Sequence, residues 1–205
     1  MASGYSLEDI ANKIKGFKPD IMMFTLTTYL FHETLEIIAY LKNRCPAKVI
    51  VGGQHVSLFP KETLEKKEID IGIIGEAEET IVELMQSLTK NEDISKVKGI
   101  CYKEGQKIKI TPPREKIKDL DSVPFPARNL LPMEKYYSFI SKYKNYAIII
   151  TSRGCPFQCI FCEQRTGDIR YRSPKNVVDE VEECYHKYKV REIDFFDPLF
   201  TLNKK

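Results

Sequence analysis

The chain has 205 residues, enough for one or two domains at roughly 100–200 residues each. Hydrophobic residues make up 42% and charged residues 30%, and 32 basic against 29 acidic side chains leave a formal net charge of +3. These values exclude a disordered or fibrous chain, and the small, unclustered basic excess argues against a nucleic-acid partner. Apolar runs such as 146–150 fall far short of the roughly 20 residues that a membrane span needs. Residues 1–20 carry charges and lack an apolar signal-peptide core, so the expected location is cytoplasmic.

The first half alternates helical and strand patterns. Ser6 to Asp9 has the form of a capping box, with Ile10 and Ile14 on one helical face until Pro19-Asp20. Residues 21–24 are a short apolar run that predicts a buried strand. Leu35, Ile38, Ala39 and Leu41 predict a helix over 31–44, ended by Pro46. Residues 49–51 predict a second strand closed by Gly52-Gly53, and 60–67 a short helix. A third strand over 69–74 closes at Gly75, before a helix over 77–89. This rhythm predicts an α/β fold, a Rossmann-like doubly wound parallel sheet with helices on both faces. Ligands in such sheets lie beyond the carboxyl ends of the strands. Here those ends are residues 25–27, Gly52 to His55, and Gly75-Glu76.

The texture then changes. Residues 99–103 and 107–110 flank Glu104-Gly105-Gln106 as a hairpin. Five prolines within 111–135 cannot make regular helix or central strand, so 111–145 reads as an extended linker between domains. The expected division is 1–110, 111–145 and 146–205.

The second half opens with a strand over 146–151 that runs into Cys155-x3-Cys159-x2-Cys162. Gly154 and Pro156 suit a sharp reversal that lets three thiolates converge. Soft thiolates favour iron–sulfur clusters or zinc, and a structural zinc site is usually closed by four protein ligands. Cys184 and His186 are the candidates for a fourth ligand. They lie on the next helix, however, which starts at Ser173-Pro174 and carries Cys184 on its apolar stripe. Cys45, Cys101 and Cys184 read as small buried hydrophobes. A last strand is expected over 192–197.

The cysteine triad, with Phe161 before its last member, resembles the radical S-adenosylmethionine (radical SAM) signature. Thr151-Ser-Arg-Gly-Cys-Pro-Phe-Gln-Cys159 and Tyr171-Arg-Ser-Pro-Lys-Asn-Val-Val-Asp-Glu180 resemble its cobalamin (B12)-binding branch. So do Gly52-Gly-Gln-His55, Gly75-Glu-Ala-Glu-Glu-Thr80 and Leu120-Asp-Ser-Val-Pro-Phe-Pro-Ala-Arg128. The resemblance implies a B12-binding Rossmann-like domain followed by the first β-α-β portion of a radical SAM barrel. Both are expected to be incomplete, because the family's sheet starts earlier and its barrel continues further. An isolated chain of this extent is expected to fold poorly and turn over no substrate.

The resemblance further implies that Cys155, Cys159 and Cys162 hold a [4Fe-4S] cluster whose open iron chelates S-adenosylmethionine. One electron, from a donor such as flavodoxin or ferredoxin, then cleaves it to methionine and a 5′-deoxyadenosyl radical, for methyl transfer or cyclisation on a small-molecule substrate. Phe161 would lie near the adenine or serve as a lid, and Asp197 would hold the methionine amino group. Pro198 stands where the family has a second acid. Thr25, Thr27, Gly52, Gly53, His55, Gly75 and Glu76 would contact cobalamin, with the diglycine allowing close approach of the nucleotide tail. No Asp-x-His-x-x-Gly motif, the usual source of a cobalt ligand, occurs in the chain. The other class that these residues allow is a non-catalytic metal module, held by structural zinc or by a relic cluster loop.

Overall fold

The computed structural model describes residues 5–163 and 167–202. Two compact units divide it, Tyr5–Lys116 and Ile117–Lys205.

In the first unit, α1 (Leu7–Phe17) starts at the expected capping box, with Ser6 Oγ accepting from the Asp9 backbone N–H at 3.1 Å. β1 (Ile21–Thr25), α2 (Phe31–Lys42), β2 (Lys48–Gly52), α3 (Gln54–Leu58), α4 (Pro60–Glu65) and β3 (Ile71–Ile73) follow. β1, β2 and β3 lie side by side and parallel. After α5 (Glu78–Thr89), β4 (Ile100–Glu104) pairs antiparallel with β3, and β5 (Lys107–Ile110) closes the hairpin. The sheet is therefore parallel through its first three strands and antiparallel through its last two.

Strand order 1-2-3 with right-handed crossovers puts successive crossover helices on one face. Met22, Val49, Val51 and Cys101 accordingly form one core with Ala11, Ile38, Leu41, Val56 and Leu64 from α1 to α4. Ile50, Ile71, Ile73 and Ile100 face the other way and pack with Leu84, Ile81 and Met85 of α5. Both faces are thus covered, as the alternating pattern predicts.

The segment expected as a linker is divided between the units. Thr111 continues the hairpin, its N–H donating to Ile100 O at 2.9 Å. Arg114 caps α5 from outside, with Nε donating to Thr80 Oγ1 at 2.8 Å and the guanidinium paired to Glu79 and Glu83. From Ile117 on, the chain belongs to the second unit. The prolines exclude long helices, and single 3₁₀ turns at 120–122, 128–130 and 133–135 replace them.

In the second unit, β6 (Tyr146–Ile149) pairs parallel with β9 (Glu192–Phe195). α6 (Pro174–Tyr188) covers this pair, with Cys184 fully buried against Ala147, Ile149 and Val190. β7 (Ser152–Gly154) and β8 (Ile169–Tyr171) form a separate antiparallel pair that the sequence pattern does not predict. Three residues each are too few to carry a visible periodicity.

Gly72 shows how tightly the first core is filled. A Cβ there would lie 2.6 Å from Cys101 Sγ, 2.9 Å from Val56 Cγ1 and 3.1 Å from Leu64 Cδ2. Gly72→Ala is expected to destabilise the unit by about 1–3 kcal/mol through overpacking. Denaturant melts check this, and adding Cys101→Ala should recover part of the loss.

Candidate functional site

Two sets of candidate residues exist, one in each unit. The first lies at the carboxyl ends of β1, β2 and β3, where three turns are tied together by backbone atoms. Leu26 N–H donates to Gly52 O at 2.7 Å, and His55 N–H donates back to Leu26 O at 3.2 Å. Ser57 Oγ donates to Gly53 O at 3.2 Å and accepts from Gly75 N–H at 2.9 Å. Ser57 thereby links the second turn to the third. Its role has no sequence signal, because a serine in a short helix is unremarked.

The glycines have different reasons for being there. Gly53 has φ +100°, and a Cβ on it would lie 2.7 Å from Leu26 O and 3.0 Å from Thr25 Cγ2. Its close approach is to the chain's own β1–α2 turn, which by itself calls for glycine here. Gly75, at φ +80°, has nothing within 4 Å of a built Cβ, and at Gly52 the nearest atom is Ile73 Cβ at 3.9 Å. Gly75 borders open space, and Gly52 meets only ordinary contact. Thr25 and Gly75 are exposed, and Thr27, Gly52 and Glu76 are half-buried around them.

His55 is not a loop residue. It sits in the first turn of α3, 3% exposed, with its ring 4.0 Å from that of Phe31 and 5.3 Å from that of Phe59. Nδ1 is 3.2 Å from Thr28 Oγ1, and Nε2 has no hydrogen-bond partner among the described residues. The helix that follows Gly53 turns the side chain into the core. His55 thus braces the β1–α2 turn from beneath.

The second set is the cysteine loop. It leaves β7 and returns through β8, so that Ser152 faces Tyr171 and Gly154 faces Ile169. Gly167 N–H donates to Cys155 O at 3.1 Å and closes the base. Gly154, at φ +93°, makes the expected reversal. Cys155 and Cys162 are half-buried, Cys159 is exposed, and none of the six cysteines forms a disulfide. Among the described residues no three His, Cys, Asp or Glu side chains gather closely enough to hold a metal ion. Cys155, Cys159 and Cys162 are thus three soft donors on one loop, none of them fully buried. Phe161 is 89% exposed beside them.

Asp197 stands at the end of β9, and its carboxylate is engaged. It accepts from Thr151 N–H at 3.0 and 3.1 Å, from Thr151 Oγ1 at 3.0 Å and from Ser152 Oγ at 2.6 Å.

Three residues that sequence reasoning left without a role surround the base of this loop. Glu180, 2% exposed on α6, pairs with Arg128 at 2.6 Å and with Arg172. Arg128 Nη2 also donates to Ile148 O at 3.1 Å, and Arg172 Nη1 to Ile150 O at 3.0 Å. Both arginines and Glu180 lie inside segments that carry the family resemblance. A charged residue inside a resembling segment is the signal that points to them.

A family model for the B12 binding domain matches residues 2–85. Over its whole length the chain is 36% identical to an uncharacterized methyltransferase of Pyrococcus horikoshii, covering 45% of that protein. It is 32% identical, again over its whole length, to the anaerobic magnesium-protoporphyrin IX monomethyl ester cyclase of Cereibacter sphaeroides, covering 34% of it. The cobalamin-dependent S-adenosylmethionine radical enzyme OxsB, solved with aqua-cobalamin and S-adenosylmethionine bound, shares the fold at TM-score 0.76 and 21% identity. That match covers 96% of this chain and 28% of OxsB.

The B12 binding domain match covers most of the α/β first unit, and OxsB shares the fold over nearly the whole chain. The chain spans less than half the length of the curated relatives it matches. Among the described residues no helix is long and apolar enough to cross a membrane.

Two predictions follow the geometry of the side chains. Burial pushes the Cys101 thiol up to about 12 and raises that of Cys184, and Cys45 is also buried. Native alkylation is expected to label the three loop cysteines and spare these three, with full labelling after denaturation, as read by intact mass. Burial also holds the His55 imidazole below its ordinary value of 6.5, with His32 and Lys66 pushing it further down and Glu62 opposing them. The unfolded chain therefore binds the proton more readily, and stability present above about pH 6.5 is lost as pH falls through the lowered value. Melting curves from neutral to acid pH should fall more steeply for the wild type than for His55→Phe.

Proposed function

We propose that this chain is the junction region of a cobalamin-dependent radical SAM enzyme that performs methyl transfer or cyclisation on a small-molecule substrate. The observation that carries the reading is the cysteine loop, stapled between β7 and β8 directly after the strand β6, in a chain whose first unit matches the B12 binding domain.

Cys155, Cys159 and Cys162 are the residues to hold a [4Fe-4S] cluster, and the open rim at Thr25, Thr27, Gly52, Gly75 and Glu76 is the place for cobalamin. When bound, these groups supply the electron that cleaves S-adenosylmethionine to methionine and a 5′-deoxyadenosyl radical, and a centre for methyl transfer. The chain's own contribution is positional. The stapled loop base carries the segment that bears all three thiols. Phe161 offers an exposed aromatic face beside them, suited to packing on an adenine ring. Gly53 and His55 hold the β1–α2 turn, so that Thr25 and Thr27 keep a fixed place on the rim. The reading also calls for an outside electron donor such as flavodoxin or ferredoxin, and for a cytoplasmic location.

Anaerobic reconstitution with ferrous iron and sulfide tests the cluster. A brown chain with about four irons, reduced by dithionite to a paramagnetic form, is expected. Cys159→Ala should lose most of it. A colourless chain that retains zinc instead would place the protein among non-catalytic metal modules. For the first unit, a titration with aqua-cobalamin should show saturable spectral change that Gly75→Phe, which fills the open rim, abolishes.

A further inference from the structure

We infer that Asp197 is a positioning residue for the cysteine loop: its carboxylate anchors the loop's base through Thr151 and Ser152, and so sets where the three thiolates meet. The inference rests on the cluster reading above. The family resemblance gives the same acid a different task, contact with the amino group of S-adenosylmethionine, and the two tasks separate experimentally.

The base of the loop is fixed peptide by peptide. Ile149 O accepts from Phe196 N–H at 2.9 Å, which is the last rung between β6 and the end of β9. Ile150 O accepts from the Arg172 guanidinium at 3.0 Å, and Thr151 O from the Arg172 backbone N–H at 2.9 Å. On the opposite side of the same peptides, Asp197 takes Thr151 N–H, the Thr151 hydroxyl and the Ser152 hydroxyl. One cation thus holds the carbonyl side and one anion the amide side. Three residues further on stands Cys155.

The Arg172 clamp is itself held. Its guanidinium also donates to Asn176 Oδ1 at 2.7 Å and pairs with buried Glu180. Asp197 has no cation among the partners described for it; its charge is met by one amide and two hydroxyls. Such charge-assisted bonds are short and strong, and the Ser152 contact, at 2.6 Å, is the shortest of the four. A carboxylate with four such contacts has most of its acceptor capacity filled. The residue after it is Pro198, so no second acid shares the work. Residues that orient ligands in this way, without touching the metal, typically change metal affinity 10–100-fold when removed.

The test uses the full chain, reconstituted anaerobically with ferrous iron and sulfide, before any S-adenosylmethionine is added. Wild type, Asp197→Ala, Asp197→Asn and Ser152→Ala are compared by iron content, by the electron paramagnetic resonance signal of the dithionite-reduced cluster, and by far-ultraviolet circular dichroism of the apo chain. A positioning role predicts on the order of 10-fold weaker iron retention against a chelator in Asp197→Ala. It also predicts an altered resonance signal, with the apo spectrum unchanged. Asp197→Asn, whose amide nitrogen cannot accept, should lie between it and wild type. Should Asp197→Ala lose its fold, Ser152→Ala decides, because it removes one bond and leaves the carboxylate in place; the same changes in smaller degree are expected.

Variants with wild-type iron retention and signal, in which only the response to added S-adenosylmethionine is lost, would overturn the inference and put Asp197 on the methionine group. A wild-type chain that takes up no cluster overturns the functional reading, and the inference with it.

Discussion

Glu180 lies 2% exposed between two guanidinium groups, and the second unit is organised around that arrangement. Arg128 comes from the proline-rich stretch, Arg172 from the position just after β8, which returns from the cysteine loop, and Glu180 from α6. Each arginine spends a further bond on a carbonyl of the β6 segment, at Ile148 and at Ile150. One buried carboxylate therefore sets the mutual placement of four chain segments. A buried Arg128 and a partly buried Arg172 against one buried anion make this costly to assemble and still costlier to break, since an orphaned buried charge costs about 3–5 kcal/mol. The arrangement is poor as a source of stability and good as a specifier of geometry, because few alternative packings would give the buried carboxylate two cationic partners.

The first unit reaches the same end without charge. Its three carboxyl-end turns are linked by main-chain bonds, with Ser57 as the bridge and Gly53 admitting the contact. Any side chain at Gly53 would strike Leu26 O, so the residue is dictated by the protein's own backbone. What remains open is the rim at Gly52 and Gly75, where a Cβ meets ordinary contact or nothing. Rigid turns around an open rim are the form expected of a preorganised ligand site.

The sequence carried the element order well, because strand and helix periods differ and most segments were long enough to show them. It carried the position of the cysteine loop as well, since the spacing that marks it is local. What it could not show are relations across distance. Arg128 and Glu180 are 52 residues apart, and no period connects them. The resemblance flagged both segments as strings, without a reason for either charge. His55 was misplaced for a local cause: a five-residue helix, too short for a periodic signal, turned a supposed loop histidine into a buried one. The β7–β8 pair was hidden in the same way.

The cysteine loop combines a firm base with an exposed tip, and the contrast has a physical logic. At the base, Thr151, Ser152, Gly154 and Cys155 all have main-chain or side-chain partners. At the tip, Ile160 and Phe161 are 88% and 89% exposed, an arrangement that wastes apolar surface in water. Fixing the tip through protein contacts alone would bring three thiolates together with no cation to offset their repulsion. Under the proposed cluster reading, leaving the gathering to the metal would avoid that cost, since metal binding and local ordering would then be one event. The base must still be set beforehand, because three thiols on a wandering loop would pay the full ordering entropy when the metal arrives. Asp197 and Arg172, gripping opposite sides of the same peptides, are placed to do that.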